Sequence, residues 1–263
     1  MDFEYVFHSS GIFGYGEEGD FTYWSFAHFA PLIVLALAIF LVYRYREKLR
    51  NWKGEENFRF AIGLTLILIE FFYYCRLLYV GNGGNGKQLL TKLPFEVCEW
   101  AAILTAFMIM KKGKSLFQCS FYICLTLGVI PWFMPAVITD AGPTYLRYYH
   151  FWLEHTLPVF AVFYMIFVHG FRPDYKQVYK PFIFLGVLAG FAIPLNYAIP
   201  DANFMYLASG TTGNSIANVL PQSIPVRLCL FIGILCVLFA LISLPQIIKQ
   251  IKEKKKTAPP DQT

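Results

Sequence analysis

The chain carries seven continuous apolar stretches, each close to the length of a membrane-crossing helix, and nothing else in the sequence restricts its fold so strongly. A spanning helix needs about 20 mostly apolar residues. Segments 24–43, 58–80, 94–111, 116–138, 148–170, 180–199 and 226–248 meet that need. A membrane β-barrel would show apolar and polar residues in alternation instead. The expectation is therefore an all-α polytopic membrane protein, a bundle of seven transmembrane helices. Of its 263 residues 57% are hydrophobic and 15% charged. One soluble core of this size does not bury that much apolar surface, so lipid must solvate the remainder.

The basic residues give the bundle an orientation, because Lys and Arg collect on the cytoplasmic side. One side gathers Arg44, Arg46, Lys48, Arg50, Lys53, Arg59, Lys111, Lys112, Lys114, Arg172, Lys176, Lys180, Lys249, Lys252, Lys254, Lys255 and Lys256. The other has Arg76, Lys87, Lys92, Arg147 and Arg227. Seven alternating spans fit this split with the N-terminus outside and the C-terminus in the cytoplasm. The net charge of +5 is then positive-inside bias and not a nucleic-acid footprint.

Three parts follow: an acidic, aromatic extracytoplasmic segment (1–23), the seven-helix domain (24–248) and a basic cytoplasmic tail (249–263). Residues 1–20 hold Asp2, Glu4, Glu17, Glu18 and Asp20 without a Lys or Arg. A cleavable signal peptide begins with basic residues, so the first span is expected to direct insertion itself. Gly81 to Gly86 reads as a flexible turn, and residues 200–225 form the longest loop. The six cysteines lie in or beside apolar runs without a CxxC pair, which points to packing residues and not to a disulfide framework.

Ionisable side chains inside a span are costly and mark function by default. Here they gather toward the outer half: His28 in the first span, Glu70 and Arg76 in the second, and Glu96, Cys98 and Glu99 at the start of the third. His150, Glu154 and His155 follow in the fifth, and Asn196 near the end of the sixth. A water-accessible cavity opening outward explains the asymmetry; interhelical pairs such as Arg76 with a Glu are the plainer account.

The third span starts at Leu93-Pro94, proline being favoured at the first helical position. Cys98 follows on the face of Pro94, and Ala101, Ala102 and Thr105 continue it. A face of small residues either lets another helix approach closely or leaves a slot for a chain-like substrate. Free N–H groups of Phe95, Glu96 and Val97 would suit an oxyanion. In the fifth span Pro158 frees the Glu154 carbonyl beside His155, the candidate base. His150, Glu154 and His155 read H-x3-E-H, one residue longer than the metalloprotease spacing. No metal and no cofactor are expected.

At these residues the chain resembles the YwaF-like family of bacterial integral membrane proteins, whose eukaryotic relative is a transmembrane acyltransferase of ether phospholipids. The matching features are Trp24-Ser25-Phe26-Ala27-His28, Glu70-Phe71-Phe72-Tyr73-Tyr74, Leu93-Pro94 with Cys98, His155 with Pro158, and the stretch from Leu195 to Leu207. They extend from about residue 24 to 240. The chain departs from the pattern at Glu96, where bacterial members often have His, and at Asn203-Phe204, where they have Asn-Tyr. The resemblance implies acyl transfer through an acyl-enzyme, with Cys98 as nucleophile and His155 as base.

The function expected from the sequence is a thiol-dependent phospholipid acyltransferase of the bacterial cell membrane, with membrane phospholipid and lysophospholipid as substrates. Asn196 or Asn203 would assist at the oxyanion, and Glu70, Glu154 or His28 would orient the base. Two alternatives stand beside it. One is a seven-helix transporter or receptor-like protein holding a small solute. The other is a zinc-dependent lipid hydrolase using His28, His150 and His155 with a carboxylate.

Overall fold

The computed structural model describes residues 12–14, 20–80, 90–135, 138, 141–208 and 220–257. They form α1 (Phe26–Arg50), α2 (Glu55–Val80), α3 (Val97–Lys111), α4 (Lys114–Thr126), α5 (Leu146–Phe167), α6 (Tyr179–Ala198) and α7 (Ile224–Thr257). No strand occurs among these residues. After Thr126 the path of α4 continues through a 3-10 turn, Leu127–Val129, and one further helical turn, Ile130–Phe133. The expected turn at Gly81 to Gly86 lies outside the described residues, as does much of the 200–225 loop.

Five stretches have the length and apolarity to cross a membrane: α1, α2, the combined run Lys114–Phe133, Tyr175–Ala198 and the apolar part of α7. The two helices outside this set are the inner ones. α3 has 15 residues, roughly 22 Å at 1.5 Å per residue, against an apolar layer of about 30 Å. α5 has the length but carries Arg147, His150, Glu154 and His155. Ala102, Ala106, Met108 and Ile109 of α3 and Ala161, Val162, Tyr164 and Met165 of α5 have no exposed surface. α1 and α7 instead present outward-facing Phe26, Val34, Leu37, Phe40, Ile232, Val237 and Leu241. The apolar helices thus shield two that are too polar or too short to face lipid alone.

Small residues set the packing at the centre. α3 packs against α2, α4 and α5. A Cβ on Gly63 of α2 would lie 2.5 Å from Met110 Cγ and 2.9 Å from the Ala106 carbonyl oxygen. Ala101, Ala102 and Thr105 are buried, and Thr105 Oγ1 lies 3.4 Å from Cys124 Sγ of α4. The face of small residues below Cys98 is therefore filled by neighbouring helices and leaves no slot for an acyl chain.

Where α3 and α5 end, arginines satisfy the last carbonyls, which helix geometry leaves without intrahelical donors. Arg59 Nη1 donates to Ile109 (2.7 Å) and Met110 (2.8 Å). Its Nε pairs with Glu55 at 2.8 and 3.0 Å. Tyr164 and His169 also reach Glu55 Oε1, at 3.1 and 2.7 Å. Arg50 Nε donates to Val168 at 2.5 Å. Each cation also meets the negative end of a helix dipole.

Prolines inside the helices free carbonyls that side chains then use. Pro31 cannot donate to Ala27, and Tyr148 Oη donates to that carbonyl at 2.6 Å. Arg227, at the start of α7, is fully buried. It donates to the carbonyls of Pro221 (2.8 Å), Tyr206 (2.7 Å) and Ala208 (2.5 Å). Among the described residues no carboxylate is hydrogen-bonded to it.

Several boundaries differ from those expected. α2 begins at Glu55, three residues early, because Glu55 and Arg59 pair one turn apart inside the helix. α3 begins at Val97, so Pro94 lies before the helix and not at its first position. α7 runs on to Thr257, which makes much of the expected basic tail helical.

Candidate functional site

The polar groups meet at the end of the bundle where α3 and α5 begin. α3 starts with a reciprocal cap: the Glu96 side chain accepts from the backbone of Glu99, and the Glu99 side chain accepts from Glu96 N at 3.2 Å. Cys98 is the second residue of this helix and is half-buried. Glu99 also accepts from Tyr74 Oη of α2 at 2.6 Å. α5 brings His150, Glu154 and His155, which are all buried.

Cys98 lies within electrostatic reach of Glu154, Glu96, Glu99 and Glu70. The thiol and the His155 imidazole are not hydrogen-bonded to each other. His155 Nδ1 points to the Phe151 carbonyl at 2.7 Å, so that nitrogen carries the proton and Nε2 has its lone pair free. Glu154 Oε2 lies 3.8 Å from His155 Nδ1 and 3.8 Å from His150 Nδ1. The Phe151 carbonyl thus orients His155, a role the sequence reading gave to Glu70, Glu154 or His28.

Of the residues singled out from the sequence, Glu70, Glu96, Cys98, Glu99, His150, Glu154 and His155 converge. Four others hold the surroundings. His28 Nδ1 accepts from Trp24 N at 3.2 Å and Nε2 faces the Trp132 carbonyl at 2.7 Å, so both ring nitrogens are engaged by backbone. This separates His28 from the trio that a three-histidine zinc site requires. Arg76 donates to the carbonyls of Phe13 and Gly14 at 2.8 and 2.7 Å. Asn196 grips Phe204 through both amide atoms, at 3.0 and 2.7 Å. Asn203 Oδ1 accepts from Ala208 N at 3.0 Å.

These two asparagines hold a short loop over the start of α3. Met205 N donates to Glu96 at 3.1 Å, and the rings of Phe95 and Phe204 meet edge-on at 5.6 Å. Met205 and Tyr206 both have left-handed backbone (φ 55° and 56°), a conformation rare in bulky residues and frequent at functional sites. Two of the expected oxyanion donors are engaged: Phe95 N reaches Leu93 O at 2.7 Å and Glu96 N reaches Glu99. Val97 and Cys98 retain N–H groups without intrahelical acceptors.

Four residues of the site escaped the sequence reading. Tyr73 stacks on His150 with ring centroids 4.2 Å apart. Arg147 Nη1 lies 2.5 Å from His150 Nδ1. Tyr74 holds Glu99. Tyr206, 41% exposed, lies within electrostatic range of Glu96 and Cys98. It is a neutral O–H donor near the thiol. Tyr73 and Tyr74 stood inside a motif already noted for Glu70; their three- and four-residue offsets from it are the signal that was available.

The set Glu70, His150 and Glu154 offers one ligand atom from each residue, all within 4.8 Å of one another. Both Glu70 carboxylate oxygens and His150 Nε2 are buried without a hydrogen-bond partner.

An all-helical transmembrane protein with carboxylates, histidines and one thiol gathered at a bundle end is the class that this fold and site define. The sequence profile of the TMEM164 family matches residues 23–243. The chain belongs to the TMEM164 family, a family of transmembrane proteins. No curated protein and no solved structure matches it.

Proposed function

We propose that this protein is a thiol-dependent phospholipid acyltransferase, related to the YwaF-like proteins and resident in the bacterial cell membrane. It crosses the bilayer seven times with its N-terminus outside, so the site opens to the outer leaflet. The observation that carries the reading is the meeting of α3 and α5. Glu154, the chain neighbour of His155, lies within electrostatic reach of Cys98.

In this mechanism His155 Nε2 takes the proton from Cys98 Sγ as the sulfur attacks the carbonyl of a phospholipid ester. The tetrahedral oxyanion receives N–H groups of Val97 and Cys98, and the Tyr206 hydroxyl is a further donor. Its collapse breaks the C–O bond, His155 returns the proton to the departing lysolipid, and a thioester remains on Cys98. A second lysolipid hydroxyl then attacks the thioester, giving its proton to His155, and the thiol is released with that proton. The thiol and base come together in the loaded complex, since catalytic hydrogen bonds often tighten only there. The acyl chain lies along the outer helix faces, because the small-residue face of α3 is filled.

The test is lipid turnover by purified protein in vesicles of defined phospholipid and lysophospholipid. Cys98→Ala abolishes transfer and thioester formation on this reading. Turnover equal to wild type in Cys98→Ala overturns it.

A further inference from the structure

The geometry points to a divalent transition-metal site formed by Glu70 of α2 with His150 and Glu154 of α5. This inference stands apart from the thiol chemistry, since Cys98 is not one of the ligands.

His150 and Glu154 are four residues apart, so they share one face of α5. α2 packs against that helix and brings Glu70 to the same place. His150 Nε2 lies 3.5 Å from Glu70 Oε2. Ligand atoms around a four-coordinate zinc-sized ion are about 3.4 Å apart, given metal–ligand distances of roughly 2.1 Å. The observed limit of 4.8 Å therefore closes on an ion with sub-ångström side-chain movement.

Burial makes the arrangement unusual. His150 is 2% exposed, and Glu70 and Glu154 are each 6% exposed. Buried charged groups are normally paired or coordinate metals. Both oxygens of Glu70 and Nε2 of His150 have no hydrogen-bond partner. The nearest cation, Arg147, is directed elsewhere: its guanidinium stands over Tyr73 at 4.7 Å and donates to His150 Nδ1. That donation leaves the ring hydrogen of a neutral imidazole on Nε2. A proton added to Glu70 would then face another N–H and leave an orphaned donor. A cation engages the carboxylate oxygens and Nε2 together once the ring hydrogen moves to Nδ1, which keeps the imidazole neutral; Arg147 then gives up its contact with Nδ1 and keeps its place over the Tyr73 ring.

One imidazole with two carboxylates suits Zn(II), Mn(II) or Fe(II) and not the soft ions that select thiolates. Three protein ligands leave a fourth position open, the pattern of a catalytic and not a closed structural site. The sequence hid the set by offering His155 as a partner in H-x3-E-H; in the structure His155 turns to the Phe151 carbonyl, and the third ligand comes from another helix.

The experiment uses the full chain in lipid nanodiscs, stripped with chelator and titrated separately with Zn(II), Mn(II) and Co(II). Wild type is expected to take up one equivalent and to melt at a higher temperature with metal than without. Cobalt should give a visible band without thiolate charge transfer, and Cys98→Ala should bind as wild type does. Glu70→Gln and His150→Gln should each weaken binding by at least about 100-fold, beyond the loss typical of groups that merely support a ligand. Unaltered wild-type melting with all three ions overturns the site, even if a variant fails to fold. So does wild-type affinity in the folded Glu70→Gln protein. Turnover lost in Cys98→Ala but metal binding kept leaves both readings standing; metal binding kept with turnover unchanged removes only the thiol mechanism.

Discussion

The Nδ1 of His155 lies 2.7 Å from the carbonyl oxygen of Phe151, one turn earlier on the same helix. This fixes the tautomer that a general base needs, with the proton on Nδ1 and the lone pair on Nε2. Replacing His155 with Ala should lower lipid turnover by about 10²- to 10⁴-fold, the usual worth of a positioned base. Steady-state transfer assays in vesicles measure this. An effect below threefold would place the base elsewhere.

Cys98 should be the cysteine that a lipid chloroacetamide probe labels at the site. The half-buried thiol sits at the second position of α3, beside N–H groups of Val97 and Cys98 that helix geometry leaves free. Cys124, by contrast, is buried against Thr105. Mass spectrometry of labelled peptides identifies the modified residue. Labelling confined to the exposed Cys229 and Cys236 would count against the thiol mechanism.

Gly63→Ala should destabilise the fold by about 1–3 kcal/mol, the usual cost of overpacking. The added methyl would stand 2.9 Å from the Ala106 carbonyl oxygen, which is backbone and cannot swing aside. Thermal melting in detergent gives the change, and an unaltered midpoint would show that α2 and α3 separate freely.

Arg59→Met should be more damaging, about 3–5 kcal/mol, as expected when one partner of a buried ion pair is removed. It strips Glu55 of the Nε–H that both its oxygens share and leaves the last carbonyls of α3 without their donor. The double variant Arg59→Met with Glu55→Gln should recover part of the loss. Equal losses in single and double variants would show that the carbonyl cap dominates.

A reporter fused after Thr263 should be cytoplasmic and one inserted at Gly81 to Gly86 outside, if basic residues set the orientation. Both reporters on one side would mean an even number of crossings between them in place of the expected odd number, so that a span had been miscounted.

Five of the helices were legible as long apolar runs; α3 is shorter and α5 more polar than a lipid-facing span, and helix ends moved where a contact from elsewhere intervened. Arg59 extends α2 backward through Glu55, and the Glu96–Glu99 cap sets the start of α3 later than Pro94 suggested. The break after Thr126 followed no clear signal apart from Pro131. Most of the site residues were visible as polar groups in apolar surroundings. Their partners were less visible: Phe151 offers a backbone carbonyl, which every residue has. The Glu70–His150 approach depends on the rotation of α2 against α5, which a single sequence does not encode by spacing.

The buried Arg227 bears on how the chain is made. Its guanidinium rests on carbonyls from Tyr206, Ala208 and Pro221, all of which precede it in the sequence. These acceptors leave the ribosome before the arginine does. Each carbonyl on which this buried charge rests therefore lies in chain already synthesised when the last helix emerges. A chain translated with that loop cut short should stall with its final helix unassembled and exposed to membrane quality-control proteases.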